Sequence, residues 1–257
     1  MIAVVLLPAP ALGQNEAELA KKLSNPVAAL ISVPIQANYD GGIGLTEDGS
    51  VWRINIQPVV PFSITDNWNL ISRTILPVVS QQNIPMDGAG ESGIGDIVQS
   101  LFFSPKSPTS GGLIWGVGPV LLLPTATDAA LGTEKWGFGP TAVALKQAGR
   151  WTYGGLVNHI QSFAGKDARQ GISATFVQPF VSYITKTRTT IGFNTETTYD
   201  WESGQWSVPV NLTVNQLLKV GSRLIQLGGG IRYWADSPNG GPQGLAGRMQ
   251  LTFLFPR

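Results

Sequence analysis

The clearest pattern in the chain is an alternation of apolar and polar residues with a period of two, which predicts β-strands. In the stretch 51–64 every even-numbered position, from Trp52 to Ile64, is apolar. The interleaved odd positions include Arg53, Asn55 and Gln57. After a short turn at 65–67 a second run of this kind begins. Each run is longer than a typical strand of a soluble protein and matches the ~9 to 11 residues that a tilted strand needs to cross a bilayer.

The same pattern recurs along the chain, and we predict twelve strands. They lie near 31–39, 51–64, 68–79, 95–104, 112–124, 135–147, 151–163, 171–184, 188–199, 206–217, 223–235 and 245–255. The connections between them are mostly shorter and longer in turn, which is typical of a barrel with periplasmic turns and extracellular loops. We therefore expect an all-β fold over residues 27–257: a single closed, antiparallel, up-and-down transmembrane β-barrel.

Tryptophan and proline positions refine this expectation. All eight tryptophans lie close to a predicted strand end, which is expected of the aromatic girdles at the two membrane interfaces. Several prolines, including Pro34, Pro58 and Pro209, fall inside predicted strands, where each removes a hydrogen-bond donor from the ladder. We expect bulges or local gaps in the ladder at these prolines, facing the lumen.

The N-terminal residues have a different pattern. Residues 1–13 are an apolar stretch followed by small residues, which is typical of the core and cleavage region of a signal peptide, although a basic leader is missing. Residues 14–26 contain good helix formers with Leu19 and Leu23 one turn apart, and Asn25-Pro26 ends the pattern. They predict a short helical segment on the periplasmic side.

Composition narrows the function classes. Charged residues make up 13% of the chain, about half the ~25% of an average soluble domain. The absence of cysteine and the presence of one histidine exclude thiolate and multi-histidine metal sites, so we expect neither a metal nor a cofactor. The net charge of +1 and the lack of a basic patch argue against a nucleic-acid partner. A soluble lipocalin-like binding protein is disfavoured because its surface would carry more charge.

Several motifs in one order give the chain a family resemblance. They are IQANYD at 35–40, INIQPVVPF at 54–62, WNLISRTILP at 68–77, GIGDIVQSLFFSP at 93–105, LGTEKWGFGPTAV at 131–143 and WTYGGLVNHIQSFAG at 151–165. Through them the chain resembles the bacterial outer-membrane proteins grouped with the phenol meta-pathway degradation proteins. The resemblance implies a transporter-like barrel in the outer membrane that takes up small hydrophobic or aromatic molecules. Its expected partners are outer-membrane lipid, the permeant and the barrel assembly machinery.

The polar faces of the predicted strands supply the candidate permeation residues. We expect these to line the lumen: Arg53, Asn55, Gln57, Arg73, Asp96, His159, Asn194, Glu196, Asn211, Arg232 and Arg248. The set contains four arginines and two acids. Low-dielectric walls would focus this excess of positive charge, so the path should favour neutral or anionic solutes. The alternative is that the arginines pair with acids and brace the barrel.

A lipid hydrolase is the competing function. His159 and Ser162, three positions apart, suggest a base and a nucleophile. Twelve-stranded outer-membrane phospholipases use serine, histidine and asparagine. However, the chain has His-Ile-Gln-Ser instead of the closer His-x-Ser spacing of those enzymes. We therefore predict a channel with no catalytic residues, and keep hydrolysis by His159 and Ser162 as the alternative.

The barrel prediction has a direct test. A closed hydrogen-bond ladder without edges resists detergent until it is heated, so the folded protein should migrate faster on a detergent gel before boiling than after it. Cell fractionation should place the same protein with the outer membrane. Recovery entirely in the soluble periplasmic fraction, with no shift of the band on boiling, would contradict the fold.

Overall fold

The computed structural model describes residues 18–221 and 223–255. The predicted signal peptide at 1–13 and residues 14–17 of the predicted helical segment lie outside the described residues. The rest of that segment contains a short helix, α1, at 18–23. No helix within the described ranges is long and apolar enough to cross a membrane.

The described residues also form fifteen β-strands. They are β1 (Ile31–Ile43), β2 (Gly49–Ile56), β3 (Val59–Ser63), β4 (Trp68–Gln82), β5 (Gly90–Ile94), β6 (Ile97–Pro105), β7 (Leu113–Leu123), β8 (Lys135–Ala148), β9 (Trp151–Gly165), β10 (Ser173–Ile184), β11 (Thr189–Thr195), β12 (Thr197–Asp200), β13 (Gln205–Val220), β14 (Arg223–Asp236) and β15 (Gly244–Phe255).

These strands make one closed antiparallel barrel. Neighbours in the chain pair with each other, and β1 pairs with β15 from Ile31 opposite Phe255 to Tyr39 opposite Gly247, which closes the sheet. Three barrel strands are interrupted, so β2 with β3, β5 with β6 and β11 with β12 each act as one. The described residues thus build the twelve-stranded barrel that the sequence predicts.

The outer face of the barrel is apolar and the inner face is polar, as the alternation requires. In β13, Leu212 and Val214 are 44% and 50% exposed, whereas Asn211, which immediately precedes Leu212, is fully buried. The strands β1, β7 and β15 also present their predicted apolar positions outward. A closed barrel with an apolar exterior is the form in which β-strands cross a membrane.

Aromatic residues border this apolar surface. Trp68 and Trp115 meet edge to face with ring centroids 5.7 Å apart, near the short turns. At the end with the long loops, Tyr199 packs against both Trp201 and Trp206. These clusters form the expected girdles. Trp234 is an exception because it lies on the inner face, where its indole N–H donates to Asp40.

Two of the prolines, Pro58 and Pro209, lie at or opposite a break in a strand that leaves the register unchanged. Pro58 separates β2 from β3, yet the pairing of both strands with β4 keeps the same offset. The break between β11 and β12 falls at Glu196, opposite Pro209, again with unchanged offset. A bulge occurs next to Pro209 on its other side, between β13 and β14. The expected gaps and bulges are therefore present. Pro58 differs from the expectation, because the alternation places it on the outer face and not toward the lumen.

Two of the three consecutive glycines at 228–230 have a packing role. Gly228 and Gly230 lie on the inner face of β14, where a Cβ atom would collide with Asn215 and with the carbonyl of Leu212 respectively. The pairing of β14 with β15 continues through them without a bulge. The glycines therefore allow close approach of neighbouring strands.

The N-terminal segment 18–30 lies inside the barrel, at the end with the short turns. Leu19, Ala20, Ala28 and Leu30 are buried in one cluster with inward-facing residues of three strands, which are Ile184, Leu217 and Leu254. The side-chain amide of Gln147 also donates to the carbonyl of Lys21 at 2.8 Å. Short turns mark the periplasmic side of such barrels, so this segment, here called the plug, lies in the periplasmic mouth.

A second apolar cluster fixes the end of the plug to the opposite wall. Val27 packs with Ile71, Phe102, Val143, Leu145 and Leu156, which all point into the barrel. Ile71 and Ile75 are apolar residues at inward positions, which weakens the alternation of β4. Ile71 is apolar because it contacts the plug instead of water. Each fully buried aliphatic side chain contributes about 1.5 to 3 kcal/mol, so the plug is firmly held.

The assignment of faces predicts unequal tolerance of charge at adjacent positions of β13. Leu212→Arg places a charge in lipid and should cost about 2 to 4 kcal/mol near the membrane midplane. Thr213→Arg is the matched control, because Thr213 lines the water-accessible interior. The measurement is the urea midpoint of protein refolded in detergent. Equal losses for the two variants would show that the faces are assigned wrongly.

Candidate functional site

Three cavities follow one another through the barrel. A vestibule of about 570 Å³ lies between the loops 124–134 and 166–172 and extends to Ala174. Ala174 also borders an upper chamber of about 370 Å³ in the middle of the barrel. A lower chamber of about 250 Å³ continues to the plug. The two chambers share a ring of residues, here called the junction ring: Gln36, Gln57, Arg73, Gln178, Asn194, Thr213 and Gln250.

A network of four charged side chains lies on one side of the lumen. Arg248 donates from Nη1 and Nη2 to the two oxygens of Glu196, at 2.9 and 2.7 Å. Arg232 donates from Nη1 to Glu196 Oε2 at 3.0 Å, and its Nε lies 3.0 Å from Asp40 Oδ1. Two acids thus balance two arginines, and the forked contact of Arg248 is the strong geometry for an arginine–carboxylate pair.

Neutral groups complete this network. Arg248 Nε donates to Asn38 Oδ1 at 2.7 Å, and the indole N–H of Trp234 donates to Asp40 Oδ1 at 2.7 Å. The guanidinium of Arg232 lies 4.7 Å from the ring centroid of Trp234. The residues come from β1, β14, β15 and the break at Glu196. They connect the strands on both sides of the closure between β1 and β15, and they give Arg232 and Arg248 the acidic partners that the bracing alternative requires.

Arg73 differs from these two arginines. Its Nη2 donates to Gln57 Oε1 at 2.9 Å, and it forms no ion pair with another described residue. The nearby oxygens of Glu196 already accept hydrogen bonds from Arg232 and Arg248. Apart from this bond to Gln57, the guanidinium of Arg73 has no hydrogen-bond partner among the described residues.

The predicted lumen residues divide into groups. Six of them line a chamber: Asn55, Gln57, Arg73, Asn194, Glu196 and Arg248. Arg232 belongs to the charged network and is buried. Asn211 is fully buried, and its side-chain amide donates to Asn194 Oδ1 at 2.8 Å. Arg53 has the inward parity of β2, is exposed, and forms no ion pair with another described residue.

Asp96 has a different position from the one predicted. Its carboxylate accepts from the backbone N–H of Ala126 at 3.1 Å, and from both the N–H and the hydroxyl of Thr133 at 2.6 Å. It therefore anchors the loop 124–134 and does not line a chamber. Arg169 secures the next loop, because it donates to the carbonyls of Ala129 and Gly132 and lies 3.4 Å from Glu134.

The prediction that His159 lines the lumen is wrong. Alternation in β9 turns Leu156, Asn158 and Ile160 toward the upper chamber, which puts His159 on the outer face. There its Nδ1 lies 2.9 Å from the hydroxyl of Thr175. In β9 the polar residues occur on both faces, so the period-two pattern was ambiguous at this strand.

The same alternation separates the two residues of the hydrolase alternative. Ser162 lies on the inner face, and its hydroxyl accepts from the N–H of Ile172 at 2.9 Å. His159 and Ser162 therefore lie on opposite sides of the barrel wall. A base and a nucleophile need hydrogen-bonding distance, so this pair cannot act together.

One residue of the charged network is not predicted from the sequence. Asp40, which is 1% exposed, was placed in a connection, although it continues the inward parity of β1. The inward set of Ser32, Pro34, Gln36 and Asn38 was the available signal. Among the described residues, no group of three histidines or acids is arranged to hold a metal.

The chain is similar to known proteins in structure and not in sequence. The sequence matches no protein-family model and no curated protein. An outer-membrane channel from Pseudomonas putida F1 is 15% identical with a TM-score of 0.68, covering 88% of this chain and 96% of its own. Outer-membrane phospholipase A from Escherichia coli is 10% identical with a TM-score of 0.54, covering 95% and 98%. The β domain of the Bordetella autotransporter BrkA is 10% identical with a TM-score of 0.50, covering 88% and 100%.

At these identities the comparisons show the fold. They agree with the closed barrel and its apolar, girdled exterior, which together place the chain in the bacterial outer membrane. The resemblance to the phenol meta-pathway group stays a prediction, because no family model supports it.

The charged network predicts strong dependence on Glu196. Glu196→Ala leaves Arg232 and Arg248 buried without their shared partner, which should cost about 3 to 5 kcal/mol. Glu134→Ala is the matched control. Its partners Lys166 and Arg169 are 61% and 36% exposed, so the loss there should be under about 1 kcal/mol. Urea unfolding in detergent measures both, and equal midpoints would contradict a bracing role.

Proposed function

We propose that the protein is a passive outer-membrane channel for small molecules, including hydrophobic or aromatic ones. The observation that carries the proposal is the series of cavities from the extracellular loops to the plug. The vestibule borders the upper chamber at Ala174, and the junction ring joins the upper chamber to the lower one. A barrel built only for anchoring would fill this space with side chains.

The dimensions of the path support narrow, selective passage. A twelve-stranded barrel is wider than an eight-stranded one, whose interior can be filled by side chains, and narrower than open porins with sixteen or more strands. The junction ring is rich in glutamine and asparagine, whose amides offer donors and acceptors to a passing solute. The apolar residues on one wall of the upper chamber support hydrophobic or aromatic permeants, in agreement with the family resemblance.

The plug makes this conformation a closed one. Residues 18–30 end the path at the lower chamber, so passage to the periplasm requires the segment to move. Its contacts are mainly apolar, with the Gln147 bond to Lys21 added to them. A channel of this kind should show low basal conductance that rises when the apolar contacts of the plug are weakened.

The channel function is tested by loosening the plug. Ala20 is fully buried in the apolar cluster, so Ala20→Asp should displace the segment and raise single-channel conductance in planar bilayers several-fold. Ala29→Asp is the matched control, because Ala29 is exposed, and it should leave conductance unchanged. Folded barrel is confirmed for both by the gel shift on heating. Absence of conductance in wild type and in Ala20→Asp would overturn the channel proposal.

A further inference from the structure

The upper chamber has two chemically unlike walls. Strands β4, β6, β9 and β10 contribute apolar side chains, which are Ile75, Val98, Leu156, Ile160 and Phe176. The rest of the lining, here called the polar wall, includes Asn55, Gln57, Asn194, Glu196 and Arg73, the last of which lies on β4 itself, two positions before Ile75. Its volume of about 370 Å³ falls in the range of small-ligand sites. Such a chamber suits a molecule with an apolar body and one polar end.

The charge of the polar wall defines that end. Glu196 is neutralised by Arg232 and Arg248, with both of its oxygens occupied at 2.7 to 3.0 Å. The guanidinium of Arg73 has only Gln57 as a hydrogen-bond partner among the described residues. The chamber therefore keeps one guanidinium with free donors and no acid available to pair with it.

We propose that the upper chamber binds small aromatic carboxylates, with the carboxylate on Arg73 and the ring against the apolar wall. The inference rests on the proposed channel function, since the permeant reaches the chamber along that path. The planar guanidinium can donate two parallel hydrogen bonds to a carboxylate. A cation would be repelled by Arg73, a neutral aromatic would leave its donors unpaired, and acetate would leave the apolar wall in contact with water.

Three probes separate the two parts of the site. Benzoate offers both the ring and the carboxylate, acetate lacks the ring, and benzyl alcohol lacks the charge. Titration calorimetry on the refolded full chain in a non-ionic detergent should show benzoate binding at least about tenfold more tightly than either of the others. Equal binding of benzoate and acetate, or of benzoate and benzyl alcohol, would overturn the proposal.

Variants assign the binding to its residues. Arg73→Gln should weaken benzoate about tenfold or more, since it removes a charge-assisted contact. Arg150→Gln makes the same change at an exposed turn residue and should leave benzoate affinity unaltered. Val98→Thr adds a hydroxyl to the apolar wall with little change of shape, and should weaken benzoate a few-fold while leaving acetate unchanged.

The outcomes separate the chamber from the channel. If Arg73→Gln does not give a heat-shifted band, Arg73→Lys replaces it, because the single ammonium keeps the charge but cannot form the paired contact. Unchanged benzoate affinity in a folded Arg73 variant would overturn the inference even if potassium chloride conductance persists. Benzoate binding that depends on Arg73 in a protein without conductance would instead overturn the channel function and leave the binding site.

Discussion

The structure depends on one constraint: in hydrocarbon, every backbone N–H and C=O group must find its partner within the protein. The pairing of β1 with β15 satisfies this by leaving no free edge, and it forces each strand to turn one face to lipid and the other to the lumen. The prolines show how strict the constraint is. At Pro58 and opposite Pro209 a strand is broken, yet the pairing of β2 and β3 with β4 and of β11 and β12 with β13 keeps its offset across the break.

Closure also explains why charge can collect inside a chain so poor in charged residues. Consecutive strand pairing brings Arg232, Arg248 and Glu196 together, and Asp40 of β1 joins them only after the first and last strands pair. The resulting network costs desolvation, which its hydrogen bonds offset. Arg73 is outside this balance. The interior therefore contains a charge-balanced network and, apart from it, an arginine that forms no ion pair with another described residue.

The sequence predicted most of the fold because the period of a strand is a local property. Twelve strands and the faces of β1, β7, β13 and β15 follow from side chains two positions apart. The contents of the lumen do not, since they depend on residues far apart in the chain. The plug contacts of Ile71 and the pairing of Asp40 with Arg232 appear only when the sheet curves and closes. His159 was assigned wrongly because in β9 polar residues occur on both faces, and closure puts its face in lipid.

The plug has a consequence for assembly. It precedes β1 directly, yet its apolar contacts include Ile184, Leu217 and Leu254 on the later strands β10, β13 and β15. When this segment contacts the later strands, it shortens the effective loop between β1 and β15. A shorter loop loses less conformational entropy when these two strands pair. Residues 18–30 are therefore positioned to act as an internal template around which the last strands gather. The same contacts that later obstruct the pore would then help to seal the wall.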